Sequence, residues 1–312
     1  MSSPLPPPIA GTAVVSTRTW SRPAPPWHAE ARFEATLPVV AAVGAVEVLT
    51  VSLLVSKLLL DAVVGFGWPV AVYVALLAAV GYGPSLWWCR YASRRWGSGR
   101  LDADIGLTPR FSDLGWGPLI WLGAIGAQVA VGAVVIALDL PIVGNTEGID
   151  ELTADRTYVV SLVVSAVVAA PIVEEMVFRG VVMRGLRSRL PMVAVVVVQG
   201  LLFGAAHVDP VRGAGNIGLV LVLSGVGIAF GVAVALLARI GPVIVAHAIF
   251  NGAVLLIVLT GVADRLDSAS PERTEHVGIV DEADVAEPCR QGDANGSRTT
   301  LVFVEPFQRL EC

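Results

Sequence analysis

The sequence predicts an all-α fold: a polytopic transmembrane helical bundle of about seven spans, flanked by disordered tails. Three observations predict it. Of the 312 residues, 55% are hydrophobic and only 15% are charged, with a mean hydropathy of +0.73, which excludes an ordinary soluble domain. Windows of about 20 apolar residues, enough to cross a hydrocarbon core of roughly 30 Å, recur along the chain. These windows are continuous runs without alternation, so they read as helices that satisfy their own backbone and not as barrel strands.

In chain order, residues 1–36 open the sequence with "MSSPLPPPIAGTAVVSTRTW", a Pro- and Ser-rich segment too poor in large apolar groups to fold. This lead-in lacks the apolar core of a cleavable signal peptide, so the first span is expected to act as the targeting signal. The bundle, 37–262, has expected spans at about 38–60, 66–88, 116–138, 157–178, 191–208, 217–238 and 241–261. From 263 to 312 the composition turns acidic and polar, as in "DEADVAEPCRQGDANGSRTT", and reads as a disordered tail in which only "LVFVEPF" at 301–307 resembles a short strand. No repeat of 20 to 50 residues is evident.

Charge is segregated among the loops. Arg90, Arg94, Arg95, Arg100 and Arg110 lie between the second and third spans, and Arg184, Arg187 and Arg189 between the fourth and fifth. The connection after the third span carries Asp139, Glu147, Asp150, Glu151 and Asp155 instead. Basic short loops stay in the cytoplasm, which places the amino terminus inside and, with seven spans, the carboxyl terminus outside. The setting this suggests is a bacterial inner membrane. Cys89, Cys289 and Cys312 are scattered and give neither a disulfide framework nor a cysteine zinc site.

The first three spans hold few ionisable groups. Glu47 is the clearest, and it reads as an interfacial side chain that snorkels or bonds to a neighbouring helix. Polar chemistry concentrates after residue 157, in three clusters at helical i,i+4 spacing. In "EEMVFRG", Glu174 shares a face with Phe178, and Glu175 shares the adjacent face with Arg179; Phe203 precedes His207 in "FGAAH", and His247 precedes Asn251 in "HAIFN". A carboxylate at mid-bilayer costs about 2.5–3.5 kcal/mol even on the lenient insertion scale, and two adjacent ones repel, so the pair needs compensation. Arg179 is spaced to pair with Glu175, which frees Glu174 to meet the histidines. Two carboxylates this close titrate as one coupled system, and one of them beside an imidazole makes a general acid/base pair.

Depth supports the grouping. Glu174 lies 17 residues before Pro191 and His207 lies 16 after it, so in an antiparallel helical hairpin both sit about 24–26 Å from the tip at ~1.5 Å per residue. His247 comes only six residues into the last span, which leaves it shallower unless tilt, a kink at Pro171 or a broken helix intervenes. Each group also has a structural reading: a Glu–Arg staple, membrane histidines bonding between helices, Phe203 as core packing, Asn251 as interhelical glue.

At these residues the chain resembles the intramembrane endopeptidases that include type II CAAX prenyl proteases and bacteriocin-processing or immunity proteins, called the CPBP or Abi family. The family motifs EExxxR, FxxxH and Hxxx(N/D) read here as "EEMVFR" at 174–179, "FGAAH" at 203–207 and "HAIFN" at 247–251, in the family's order. The resemblance covers about 157–261. It implies that Glu174 activates the attacking water, His207 helps position it, His247 and Asn251 stabilise the oxyanion, and Glu175 and Arg179 support them. It also implies a membrane protein or peptide as substrate, the lipid bilayer as surroundings, and no nucleic acid. Glu174, His207, His247 and a water would make an acceptable catalytic zinc shell, and the family is widely labelled as metalloproteases; yet there is no HExxH and Asn251 is a poor zinc ligand, a metal-free glutamate mechanism fits these residue types equally well, and it is the one expected. No GxGD appears, and Ser224 in "VLSG" lacks the glycine of a GxSG serine motif. Two other classes use the same residues: a proton-coupled transporter, for which no inverted repeat is visible, and a non-catalytic membrane binding or immunity protein.

Overall fold

The computed structural model describes residues 33–144, 156–262, 302–304 and 308–310. Most of the expected disordered lead-in and tail therefore lies outside the described residues. Met1–Thr260 forms one compact unit and Gly261–Cys312 another. In the second, β1 (Val302–Val304) pairs antiparallel with β2 (Gln308–Leu310), with Phe303 opposite Arg309. The strand expected within 301–307 is β1.

The first unit is helical. Its elements are α1 (Val39–Val63), α2 (Val70–Trp96), the short α3 (Leu101–Ile105), α4 (Asp113–Ala137), α5 (Arg156–Arg187), α6 (Met192–Ala205), α7 (Asn216–Leu237) and α8 (Gly241–Thr260). Six of these are long and apolar enough to cross a membrane, and α6 is not. At ~1.5 Å per residue its 14 residues rise about 21 Å. The run expected at 191–208 stops early because Pro210 disfavours helix in the residue before it, and because Asn216 ties that turn shut: its Oδ1 accepts from the Asp209 N–H at 2.9 Å while its Nδ2 donates to the Asp209 carbonyl at 2.7 Å. Two helices instead run longer than expected. α2 carries Arg90, Arg94 and Arg95 out to Trp96, and α5 continues to Arg187.

One end of the bundle gathers the starts of α1, α4 and α8 with the ends of α2, α5 and α7. There Trp88 Nε1 donates to the Ala41 carbonyl at 3.0 Å, and Arg184 donates to the Ala238 carbonyl at 3.1 Å while lying 4.7 Å from the Phe33 ring centroid. The buried Asp104 accepts from Ser93 Oγ at 2.6 Å and from the Ser98 N–H at 3.0 Å, and Arg239 pairs with Asp113. The other end is closed by Lys57 and Asp209 at 2.8 Å and by the Gly218 N–H on the Pro141 carbonyl at 2.9 Å. The arginines of the α2–α4 and α5–α6 connections therefore share one end, whereas Arg156 and Arg212 lie at the other.

α6 meets α7 backbone to backbone. A Cβ added at Gly204 would overlap the Val220 carbonyl oxygen, and one at Gly227 would meet Gly200 Cα at 3.0 Å. Gly200 thus packs on Gly227, while Gly204 meets Ser224 and Val220 and Gly231 meets Gln199 and Val196, a use of small residues that suits lipid-embedded helices because close approach replaces a hydrophobic driving force. Substituting Gly204→Leu should cost about 1–3 kcal/mol or more through overpacking. The check is a lowered thermal unfolding midpoint of the detergent-solubilised protein, with Leu201→Val, on the half-exposed side of the same helix, leaving it nearly unchanged.

Candidate functional site

The acidic pair sits on α5 just after Pro171, between two stretches of wide π-helix at Val164–Ala169 and Met176–Val182. Such segments occur often at functional sites. In the first, the Ala170 N–H bonds to the Ser165 carbonyl five residues back. The next bond in that register would join residue 171 to the Ala166 carbonyl, and proline has no N–H to give. Asn251, from α8, supplies the missing donor: its Nδ2 donates to the Ala166 carbonyl at 2.7 Å. One of the two amide hydrogens of Asn251 is thereby committed to holding α5 against α8.

One turn later, Glu175 and Arg179 are both wholly buried. Arg179 donates to Glu175 Oε1 at 2.8 Å and to the Gly227 carbonyl at 3.1 Å, and its guanidinium carbon lies 4.4 Å from the Phe203 ring centroid and 5.3 Å from that of Phe230. The same Glu175 Oε1 accepts from His247 Nδ1 at 2.9 Å. A carboxylate only accepts, so Nδ1 carries the proton and Nε2 is turned to the other side of the ring. There Glu174 Oε2 stands 3.9 Å away, buried and without a hydrogen bond. Two carboxylates thus bracket one imidazole. A gap of that size is one a single water bridges.

The hairpin register holds. Phe178 and Phe203, 13 and 12 residues either side of Pro191, meet with ring centroids 5.3 Å apart. His207 follows one turn on, its ring 4.9 Å from Phe203, with Nδ1 donating to the Phe203 carbonyl at 2.8 Å. This leaves its Nε2 as an acceptor. No hydrogen bond or ion pair joins His207 to Glu174; the two are linked through Phe203, whose ring also lies 5.9 Å from His247. The depth of His247 comes about by a route the sequence did not suggest. α8 starts recessed: the Ile240 N–H bonds to the Gly106 carbonyl, and Gly180 packs on Ile105 of the same α3 segment. The last span therefore begins level with Gly180, well inside the end of α5, and six residues bring His247 to Glu175.

His207, His247 and Asn251 line a cavity of about 460 Å³ whose wall also includes Phe203, Phe230 and Gln128. Glu174 is not part of that wall. Among the described residues, no group of three or more His, Cys, Asp or Glu side chains is arranged to hold a metal ion. His247 Nδ1 bonds to Glu175, and no hydrogen bond or ion pair joins His207 to Glu174. Sequence reasoning missed two contributors. Gln199 is fully buried and donates to the Val196 and Gly227 carbonyls at 3.0 and 2.8 Å. Phe230 packs 5.5 Å from His247. An amide alone in "VVVVQGLL" was a readable signal for Gln199; for the aromatic ring there was none.

Residues 156–253 match the model of a family described as Type II CAAX prenyl endopeptidase Rce1-like. That stretch runs from the start of α5 into α8 and includes all six polar residues singled out above. No curated protein and no solved structure matches the chain.

Arg179→Met should destabilise the protein by about 3–5 kcal/mol, because it strands a buried carboxylate. The double variant Glu175→Gln/Arg179→Met should unfold at a higher temperature than the single one. Asn251→Ala should cost about 1–3 kcal/mol by orphaning the Ala166 carbonyl, seen as faster amide exchange around residues 166–171.

Proposed function

We propose, on the premise that residues 156–253 form an Rce1-like type II CAAX prenyl endopeptidase domain, that this integral membrane protein hydrolyses a peptide bond of a membrane protein or peptide at the Glu174–His247 pair. The observation that carries the reading is one imidazole held between two carboxylates, 2.9 Å from Glu175 and 3.9 Å from Glu174, at the wall of a cavity that His207 and Asn251 also line.

Charge balance assigns the roles. Arg179 neutralises Glu175, which leaves the charge of Glu174, and His247 is the group placed to carry the balancing proton. Glu175 keeps Nδ1–H in position, so the ring presents Nε2 to the reacting atoms. A water between Glu174 and His247 gives its proton to Glu174 as its oxygen attacks the scissile carbonyl carbon. The oxyanion takes hydrogen bonds from protonated His247 Nε2 and from the second amide hydrogen of Asn251, donors that are strong in a site screened from bulk water. When the C–N bond breaks, Glu174 returns its proton to the leaving amine. His207 Nε2 accepts the other hydrogen of the water and so orients it. Arg179 touches none of these atoms; it fixes Glu175. The arginine-rich end of the bundle is the cytoplasmic one, as expected for a bacterial inner-membrane protein.

Glu174→Gln should lower cleavage by at least about a hundredfold while leaving the unfolding midpoint near that of the wild type. Comparative mass spectrometry of membrane-derived peptides from cells with either form reads both activity and substrate. Identical peptide profiles from the two, with the protein folded in each, would sink the proposal.

A further inference from the structure

Four amides lie within the helices that build the site, and three donate to backbone carbonyls. Gln199 donates to Val196 and Gly227, Asn216 to Asp209 and Asn251 to Ala166. The fourth is Gln128, the one carboxamide in α4. It stands half-buried near the middle of that span, lines the same cavity as His207 and His247, and makes no hydrogen bond to any described residue. The rest of the wall is largely aliphatic, including Leu162, Leu219, Val222, Leu223 and Val254. A carboxamide held in such surroundings without a partner is disfavoured unless what enters the cavity pairs with it.

We infer that Gln128 is a substrate-positioning residue, and that what it holds is the backbone of an extended peptide segment with apolar side chains. This rests on the proteolytic reading above. An extended chain in a water-poor cavity exposes an N–H and a C=O at every residue that must find partners. A glutamine side chain offers one acceptor and two donors, so it pairs with a peptide group in either sense. Aliphatic walls accept the side chains of Ala, Val, Leu, Ile or Phe and penalise charged ones. With Gln128 on one backbone group and Asn251 and His247 at the scissile carbonyl, the segment is fixed at two points. Gln128 thereby sets which peptide bond is cut.

The test uses the full chain in liposomes, with quenched-fluorescent ten-residue peptides built from Ala, Val, Leu, Ile and Phe, and ester analogues that remove one backbone N–H at a time. Gln128→Leu, matched in melting temperature to wild type, should raise KM about tenfold, more than it lowers kcat, and shift the cleaved bond. In the wild type one ester position should cost several-fold in kcat/KM, and that penalty should vanish in Gln128→Leu. Equal KM and the same cleaved bond in both forms, or an ester penalty that survives the substitution, overturns the inference while leaving the proteolytic reading intact. If no peptide is cleaved, or Glu174→Gln cleaves as fast as wild type, the proteolytic reading has failed; fluorescence anisotropy of the uncleaved peptides then decides Gln128, with equal affinity for wild type and Gln128→Leu counting against it.

Discussion

The helices that build the site are arranged around one buried charge pair, Glu175 with Arg179. Both are wholly buried, and an ion pair at that depth survives only when its remaining hydrogen-bonding capacity is met. The surroundings meet part of it with groups from three other helices, the Gly227 carbonyl from α7, the Phe203 and Phe230 rings from α6 and α7, and His247 from α8, while Glu175 Oε2 and Arg179 Nε make no hydrogen bond. The close α6–α7 contact is part of this solution. Glycines at 200, 204, 227 and 231 bring the backbones near enough for the Gly227 carbonyl to serve Arg179 and Gln199 together.

The pair also decides what His247 can do. By holding Nδ1, Glu175 gives the ring a fixed orientation with Nε2 turned toward Glu174. Glu174, on the neighbouring face of the helix, is left part-buried, with a buried, unpartnered oxygen 3.9 Å from that nitrogen. Burying a charged group without partners is costly, so this arrangement is hard to account for as packing alone. Asn251 serves in two ways: it repairs the backbone that Pro171 disrupts, and it lines the cavity. In α5, proline and asparagine make one device, although 80 residues separate them.

Composition alone determined that the chain is a helical membrane protein, because continuous apolar runs leave no other way to satisfy a backbone in hydrocarbon. Spacing alone determined the Glu175–Arg179 pair, which is local, and the level of Phe203 with Phe178, which follows from equal arm lengths around Pro191. These are consequences of helix geometry, so periodicity exposes them.

Only the tertiary structure decided the rest. That α6 is 14 residues long follows from the turn closed by Asn216 around Asp209, and that His247 reaches Glu175 follows from α8 starting beside Gly106, deep in the bundle. Which carboxylate bonds the imidazole, and that His207 faces Phe203 while standing apart from Glu174, depend on how helices distant in sequence are set against one another. A one-dimensional pattern records which face a side chain occupies on its own helix. It does not record where that helix begins relative to its neighbours, and in this bundle that offset selects the partners of His247.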